Sequence, residues 1–123
     1  MKNSEIRIRA KSFAIKLLDV CEKIESKNGK GVLINQMIRS ATSIGANAHE
    51  ANYASSKADF INKLQIALKE CYETEYWIDM LFSAKCISES IAKELLNDCG
   101  IIRRMLVKSI TTVKEHLAIE RNN

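Results

Sequence analysis

The residues in this chain that could do chemistry are few and do not assemble into a known catalytic pattern. Two histidines, His49 and His116, and an acidic run of Glu70, Glu73, Glu75 and Asp79 are the candidates for metal binding or acid/base work. A di-metal centre inside a helical bundle needs inward-facing Glu-x-x-His pairs. The positions three before the histidines hold Ala46 and Val113. His49-Glu50-Ala51-Asn52-Tyr53 also lacks the second histidine of the His-Glu-x-x-His zinc pattern. No nucleophile, glycine-rich phosphate loop or cofactor motif accompanies the acidic run, so it reads as a solvated helix face with one buried carboxylate at most. Cys21, Cys71, Cys86 and Cys99 include no Cys-x-x-Cys pair and read as reduced thiols packing as small hydrophobes. The expectation is a protein that is not an enzyme and takes no metal or cofactor.

Charge is more informative. Of the 19 Lys/Arg and 15 Asp/Glu, eight and four lie within the first 31 residues, and the remainder carries eleven of each. The whole excess of +4 therefore belongs to the N-terminal segment. Lys2, Arg9, Lys16, Lys23 and Lys30 are spaced seven apart, which on a helix draws them into one stripe, and Lys27 follows Lys23 by one turn. Such a stripe can lie along a phosphate backbone. Arg103, Arg104 and Lys108 make a second, smaller patch. The competing reading is a solvated face, because Glu5 to Arg9 and Asp19 to Lys23 are i,i+4 pairs that would partly neutralise the stripe.

The elements that must position these groups are helices. The chain is 123 residues long, 46% hydrophobic and 28% charged, with no proline, which fits one compact domain spanning 1–123. Apolar residues recur with alternating steps of four and three. Ile6, Ala10, Phe13, Leu17, Val20 and Ile24 place helix one over 4–28, with Ser4 as its cap and Asn28-Gly29-Lys30-Gly31 at its end. Ile34, Ile38, Ala41, Gly45, Ala48 and Asn52 place helix two over 32–54, whose many small residues let a neighbour approach closely. Ser56 and Asp59 resemble a capping box ahead of Phe60, Leu64, Ala67, Cys71, Thr74, Ile78 and Leu81, so helix three covers 56–85. Ser88 caps helix four, over 89–118, with the stripe Ile91, Leu95, Cys99, Ile102, Leu106, Ile110, Val113 and Leu117. Short connections between long helices predict an all-α, up-down-up-down antiparallel four-helix bundle. Ile8, Ile15, Leu18, Leu33, Met37, Ile44, Ile66, Tyr72, Trp77 and Phe82 lie off these stripes. They either widen the core or form a second apolar surface for self-association. No apolar stretch reaches the roughly 18 residues of a membrane span and the N-terminus lacks a signal-peptide core, so a cytoplasmic protein without membrane contact is expected.

Two stretches, Gln36 to Ala51 and Ser56 to Ala67, resemble the four-helix bundle family of 23S rRNA-intervening sequence proteins. The family pattern Arg-x-Ala-x-Ser-Ile, then Asn-x-x-Glu-Gly, then Ser and Phe, then Ile-Ala and a Glu falls on Arg39, Ala41, Ser43, Ile44, Asn47, Glu50, Ser56, Phe60, Ile66, Ala67 and Glu73. Ala51 stands where glycine is usual, and Gly45 where proline or glycine occurs. The resemblance implies a left-handed bundle assembling as a homopentamer, without an assigned enzymatic activity, encoded in bacterial rRNA insertions and elsewhere. It also implies kinship to basic accessory proteins of diversity-generating retroelements, which bind nucleic acid and partner a reverse transcriptase. This chain lacks the Phe-Pro motif of that branch.

Two functions are carried forward from the sequence. One is weak, non-sequence-specific binding of RNA, DNA or a ribonucleoprotein through Arg9, Lys16, Lys23, Lys27, Arg103, Arg104 and Lys108. The other is a protein-interaction scaffold or accessory subunit for a partner enzyme such as a reverse transcriptase. Asn47 and Glu50, three apart on one helix face, are expected to join Arg39 or Glu73 in a structural polar cluster, inside the bundle or between subunits.

Overall fold

The computed structural model describes residues 3–24 and 29–122, and among them the protein is all-helical. Four helices follow one another: α1 (Ser4–Glu22), α2 (Lys30–Ala51), α3 (Lys57–Ser83) and α4 (Glu89–Asn122). Each packs on its neighbours in the chain and α4 closes back on α1, making a four-helix bundle. The α2–α3 and α3–α4 seams are the tightest and the α1–α4 seam the loosest.

Several ends differ from the sequence expectation. The first helix starts at Ser4 as expected, but its cap position is Asn3, whose carbonyl accepts from the Arg7 amide at 3.0 Å. The Asn3 side chain is committed elsewhere: buried, it donates to the Ala48 carbonyl at 2.6 Å, joining the start of α1 to the end of α2. At its far end α1 closes at Glu22 through three-residue turns from Lys23 to Val20 and Ile24 to Cys21. Helix one was expected to reach 28, and residues 25–28 lie outside the described residues. Gly29, at φ 80°, adopts the left-handed backbone that glycine accepts without strain, and α2 begins immediately after it, two residues earlier than expected. At its other end α2 stops at Ala51 instead of 54, as Tyr53 and Ala54 reach back only three residues, to Glu50 and Ala51. The two later caps match their sequence signals. Ser56 Oγ accepts from the Asp59 amide at 3.0 Å, and Ser88 Oγ accepts from the Ile91 amide at 3.2 Å. The fourth helix continues to Asn122 because residues 119–122 hold no breaker.

The core is built from the expected heptad positions on α1, α3 and α4: Ile6, Ala10, Phe13 and Leu17, then Phe60, Leu64, Ala67, Cys71, Thr74, Ile78 and Leu81, then Leu95, Cys99, Ile102, Leu106, Ile110 and Val113 are buried, whereas Val20, Ile24, Ile91 and Leu117 at the stripe ends are half-buried. The phase of α2 departs from the expectation. Its buried residues are Ile34, Met37, Ser40, Ala41, Ile44, Ala48 and Ala51, whereas Ile38 and Gly45 are half-buried and Asn52 is exposed. Both phases share Ile34, Ala41 and Ala48, and the larger volume of Met37 and Ile44 settles which face turns inward. Between α2 and α3 the Thr74 hydroxyl donates to Ser40 Oγ at 2.8 Å, so the hydroxyls at this close seam satisfy each other.

Gly45 faces Ala10, and a Cβ built there would sit 3.6 Å from that of Ala10, an ordinary contact. A helix-interior glycine costs about 1 kcal/mol relative to alanine. Gly45→Ala is therefore expected to raise stability by about 0.5–1 kcal/mol in thermal or urea unfolding. A lowered melting temperature would show that the α1–α2 spacing does not admit a methyl group.

Candidate nucleic-acid interface

The basic stripe expected on helix one is largely paired within the fold. Arg9 lies 3.6 Å from Glu5, and Lys23 3.7 Å from Asp19, both along α1. Lys16 reaches across the seam to α4, where it contacts Glu94 and donates to Asp98 at 2.8 Å. These two carboxylates hold the Lys16 ammonium above its ordinary pKa, Asp98 first. A lysine flanked by two carboxylates presents no excess positive charge to a phosphate. Lys27 lies outside the described residues. On α4, Arg103 Nε donates to Glu75 at 2.7 Å, and its guanidinium stands 5.7 Å from the Tyr72 ring centre. Arg104 and Lys108 are exposed and have no ion pair among the described residues. Of the seven cations singled out from the sequence, these two keep an unneutralised charge within the described residues.

The polar cluster forms around different members. Arg39 on α2 contacts Glu73 and donates to Glu70 at 3.2 Å, both on α3. The Trp77 indole nitrogen is 3.5 Å from Glu73. Asn47 and Glu50 stand apart from it: Asn47 donates to the Ser43 carbonyl at 2.9 Å, and Glu50 pairs with Lys63 at 3.3 Å. Asn47 and Glu50 share a helix face, but they lie two and three turns beyond Arg39 and point to other neighbours. Within the cluster, hydrogen bonding from Arg39 holds the Glu73 carboxyl below the ordinary range, whereas burial pushes Glu70 up. The cysteines are packing groups. Burial pushes the Cys21 thiol up to about 11, and the contact with Cys71, together with burial, raises Cys99 further, so neither carries thiolate at neutral pH.

The loose packing of α1 leaves a groove on each flank. The one toward α4, about 890 Å³, mixes Glu5 with Arg9, Lys108 and His116. The one toward α2, about 660 Å³, is different: Arg7, Lys11 and His49 line it and no carboxylate does. Its floor is made of small residues, Ala10, Ala14, Gly45 and Ala46, and Thr42 and Ser4 add hydroxyls. Assigned with its amide oxygen toward α1, Asn52 is placed to accept from Arg7 Nε at 3.2 Å, at the mouth of this groove. Just past the end of α2, Tyr53 stands edge-on to His49 with ring centres 5.4 Å apart. Sequence reasoning missed this group. Its signal was two i,i+4 pairs, Arg7 with Lys11 and His49 with Tyr53, on helices that the fold brings side by side.

Among the described residues no cluster of His, Cys, Asp or Glu is arranged to hold a metal ion, and no helix is long and apolar enough to cross a membrane. The family model for 23S rRNA-intervening sequence protein matches residues 2–108. The chain belongs to that family. The fold agrees: a crystal structure from Bacteroides thetaiotaomicron VPI-5482, described as a protein of unknown function from the S23 ribosomal protein family, superposes with a TM-score of 0.81 at 38% identity. The match covers 90% of this chain and 99% of that one. No curated protein matches the chain. Neither the family description nor that of the structural relative indicates a catalytic activity.

The Arg39–Glu73 pair makes a pH prediction. A carboxyl whose folded pKa is depressed contributes stability above its unfolded pKa and loses it as pH falls through the folded one. Glu73→Gln should therefore destabilise by roughly 0.5–1 kcal/mol at pH 7, the scale of a largely exposed pair. In melting curves recorded across pH, the difference from the parent should close below the ordinary carboxylate range. A difference that persists at low pH would assign the effect to packing.

Proposed function

We propose that this family member is a non-catalytic, self-associating helical bundle that binds RNA, DNA or a ribonucleoprotein without base specificity. The observation that carries this reading is the α1–α2 groove, whose lining places Arg7 and Lys11 together with no acidic residue among them. Phosphate contacts need cations that are not already neutralised, and their strength falls steeply with salt as condensed counterions are released. Arg7 and Lys11 meet that requirement better than Arg9, Lys16 and Lys23, each of which has a carboxylate within 4 Å. Arg104 and Lys108 form a second cationic patch, on α4. The chain's net charge of +4 favours encounter with polyanions in general.

Support for self-association comes from α1, where Ile15 is 58% and Leu18 38% exposed one turn apart. Large aliphatic side chains repeated on one helix face are costly to leave in water. The homopentamer implied by the family resemblance would give them a partner. The same residues favour a second reading, a scaffold presenting its apolar α1 face to a partner enzyme such as a reverse transcriptase.

Two measurements test these statements. For nucleic acid, Arg7→Gln/Lys11→Gln is expected to lower the slope of log affinity against log salt by about 1.4 on single strands, at about 0.7 per phosphate contact. Arg9→Gln/Lys23→Gln should change it by less than half as much. No binding at low salt, or a salt-independent signal, would overturn the reading. For assembly, native mass spectrometry of Ile15→Glu/Leu18→Glu should show monomer with helical content retained. An unchanged assembly would remove this face from the interface.

A further inference from the structure

One turn beyond His49, the last α2 residue to line the α1–α2 groove, stands an exposed aromatic ring, and electrostatics alone does not explain it. Tyr53 is 77% exposed, more than any other large hydrophobic among the described residues. Its position is nevertheless fixed: its amide donates to the Glu50 carbonyl at 2.9 Å, the next residue, Ala54, donates to Ala51 at 3.1 Å, and its ring rests edge-to-face on His49. A ring held in place yet open to water is a surface offered to another flat group. His49 connects the ring to the cations. His49 lines the same groove as Arg7 and Lys11, and the groove runs along α2 from His49 to Thr42, seven residues or about 10 Å of helix.

We propose that this groove binds single-stranded nucleic acid, with an unpaired base stacked on Tyr53 and the adjoining phosphates taken by Arg7 and Lys11. The proposal rests on the nucleic-acid reading above and specifies its substrate. A fixed aromatic face beside a cationic track is the combination by which single strands are held without sequence preference, since every base has a π-face. Paired bases are already stacked and keep their faces inside the helix, so a duplex could use the cations but not the ring. The small residues Ala10, Ala14, Gly45 and Ala46 that line the groove let a backbone settle between the two helices, and Ser4 supplies a neutral donor to phosphate or sugar oxygens.

Fluorescence anisotropy at low salt, with labelled oligothymidylate or oligouridylate against a hairpin duplex of equal length, tests this directly. Tyr53→Ala is expected to weaken single-strand binding about tenfold, the scale of one base–aromatic stack. Its duplex affinity and its salt slope should match the parent, and Tyr53→Phe should retain single-strand binding. Because Tyr53 is exposed, the melting curve of Tyr53→Ala should be unchanged. Parent-like single-strand affinity in Tyr53→Ala, or equal loss on both ligands, would overturn the stacking proposal. If Arg7→Gln/Lys11→Gln still weakened binding in that case, the electrostatic reading would stand alone. Failure of the parent to bind either ligand would remove both.

Discussion

The arrangement depends on the burial of α3 between α2 and α4. Seven successive heptad positions of that helix, from Phe60 to Leu81, are removed from water, and two small polar residues, Ser40 and Thr74, close the seam with α2 by bonding to each other. Small side chains allow close approach, and mutually satisfied hydroxyls spare the interior an unpaired polar group. Three helices thus supply most of the tight packing. The first helix is laid over the remaining side, tied at one end by Asn3 to Ala48 and across its middle by Lys16 to Glu94 and Asp98. Its looser seating produces the two grooves that flank it, so the surface features with functional character follow from how the core is shared.

The same packing redistributes charge. A cation counted along the chain is available to a ligand only if the fold leaves it without a carboxylate neighbour. Lys16 shows how far the two can differ, since its partners lie on a helix some eighty positions away in sequence. Arg103 is taken by Glu75 across the α3–α4 seam in the same way. Each such pair contributes little to stability where it is exposed. Its larger effect is to neutralise a positive charge at the surface, and that leaves Arg7 and Lys11 prominent although they belong to no seven-residue rhythm.

Much of the fold was legible in the sequence, because burial on one face of a helix writes its own period into the chain. The stripes of α3 and α4 could be read residue by residue, as could the Ser56 and Ser88 caps, whose donors and acceptors lie within four positions. The phase of α2 was ambiguous for a physical reason: Ile34, Ala41 and Ala48 belong to both candidate stripes, and the choice between Met37 with Ile44 and Ile38 with Gly45 rests on which pair fills the space between α1 and α3. The polar cluster was half legible. Arg39 and Glu73 meet, but the buried partner Glu70 was absent from the expected set, and Asn47 with Glu50 turned to Ser43 and Lys63. The candidate groove was not read at all, since its two halves are some forty residues apart and each is only an unremarkable i,i+4 pair until the helices are set together.

The location of the groove also bears on how recognition and stability are divided in this protein. Its walls come from α1 and the outer face of α2, and no residue of the α3 stripe lines it. Changes to Arg7, Lys11 or Tyr53 therefore act on groups that are partly or fully exposed, outside the cluster of apolar residues that holds the bundle together. Asn3 and Asn52 are the exceptions. Asn3 bonds the start of α1 to the Ala48 carbonyl near the end of α2, and Asn52, with its amide oxygen assigned toward α1, lies within reach of Arg7. A bundle built this way can vary the residues of this groove at little cost to folding, provided that Asn3, buried at the α1–α2 junction, is kept.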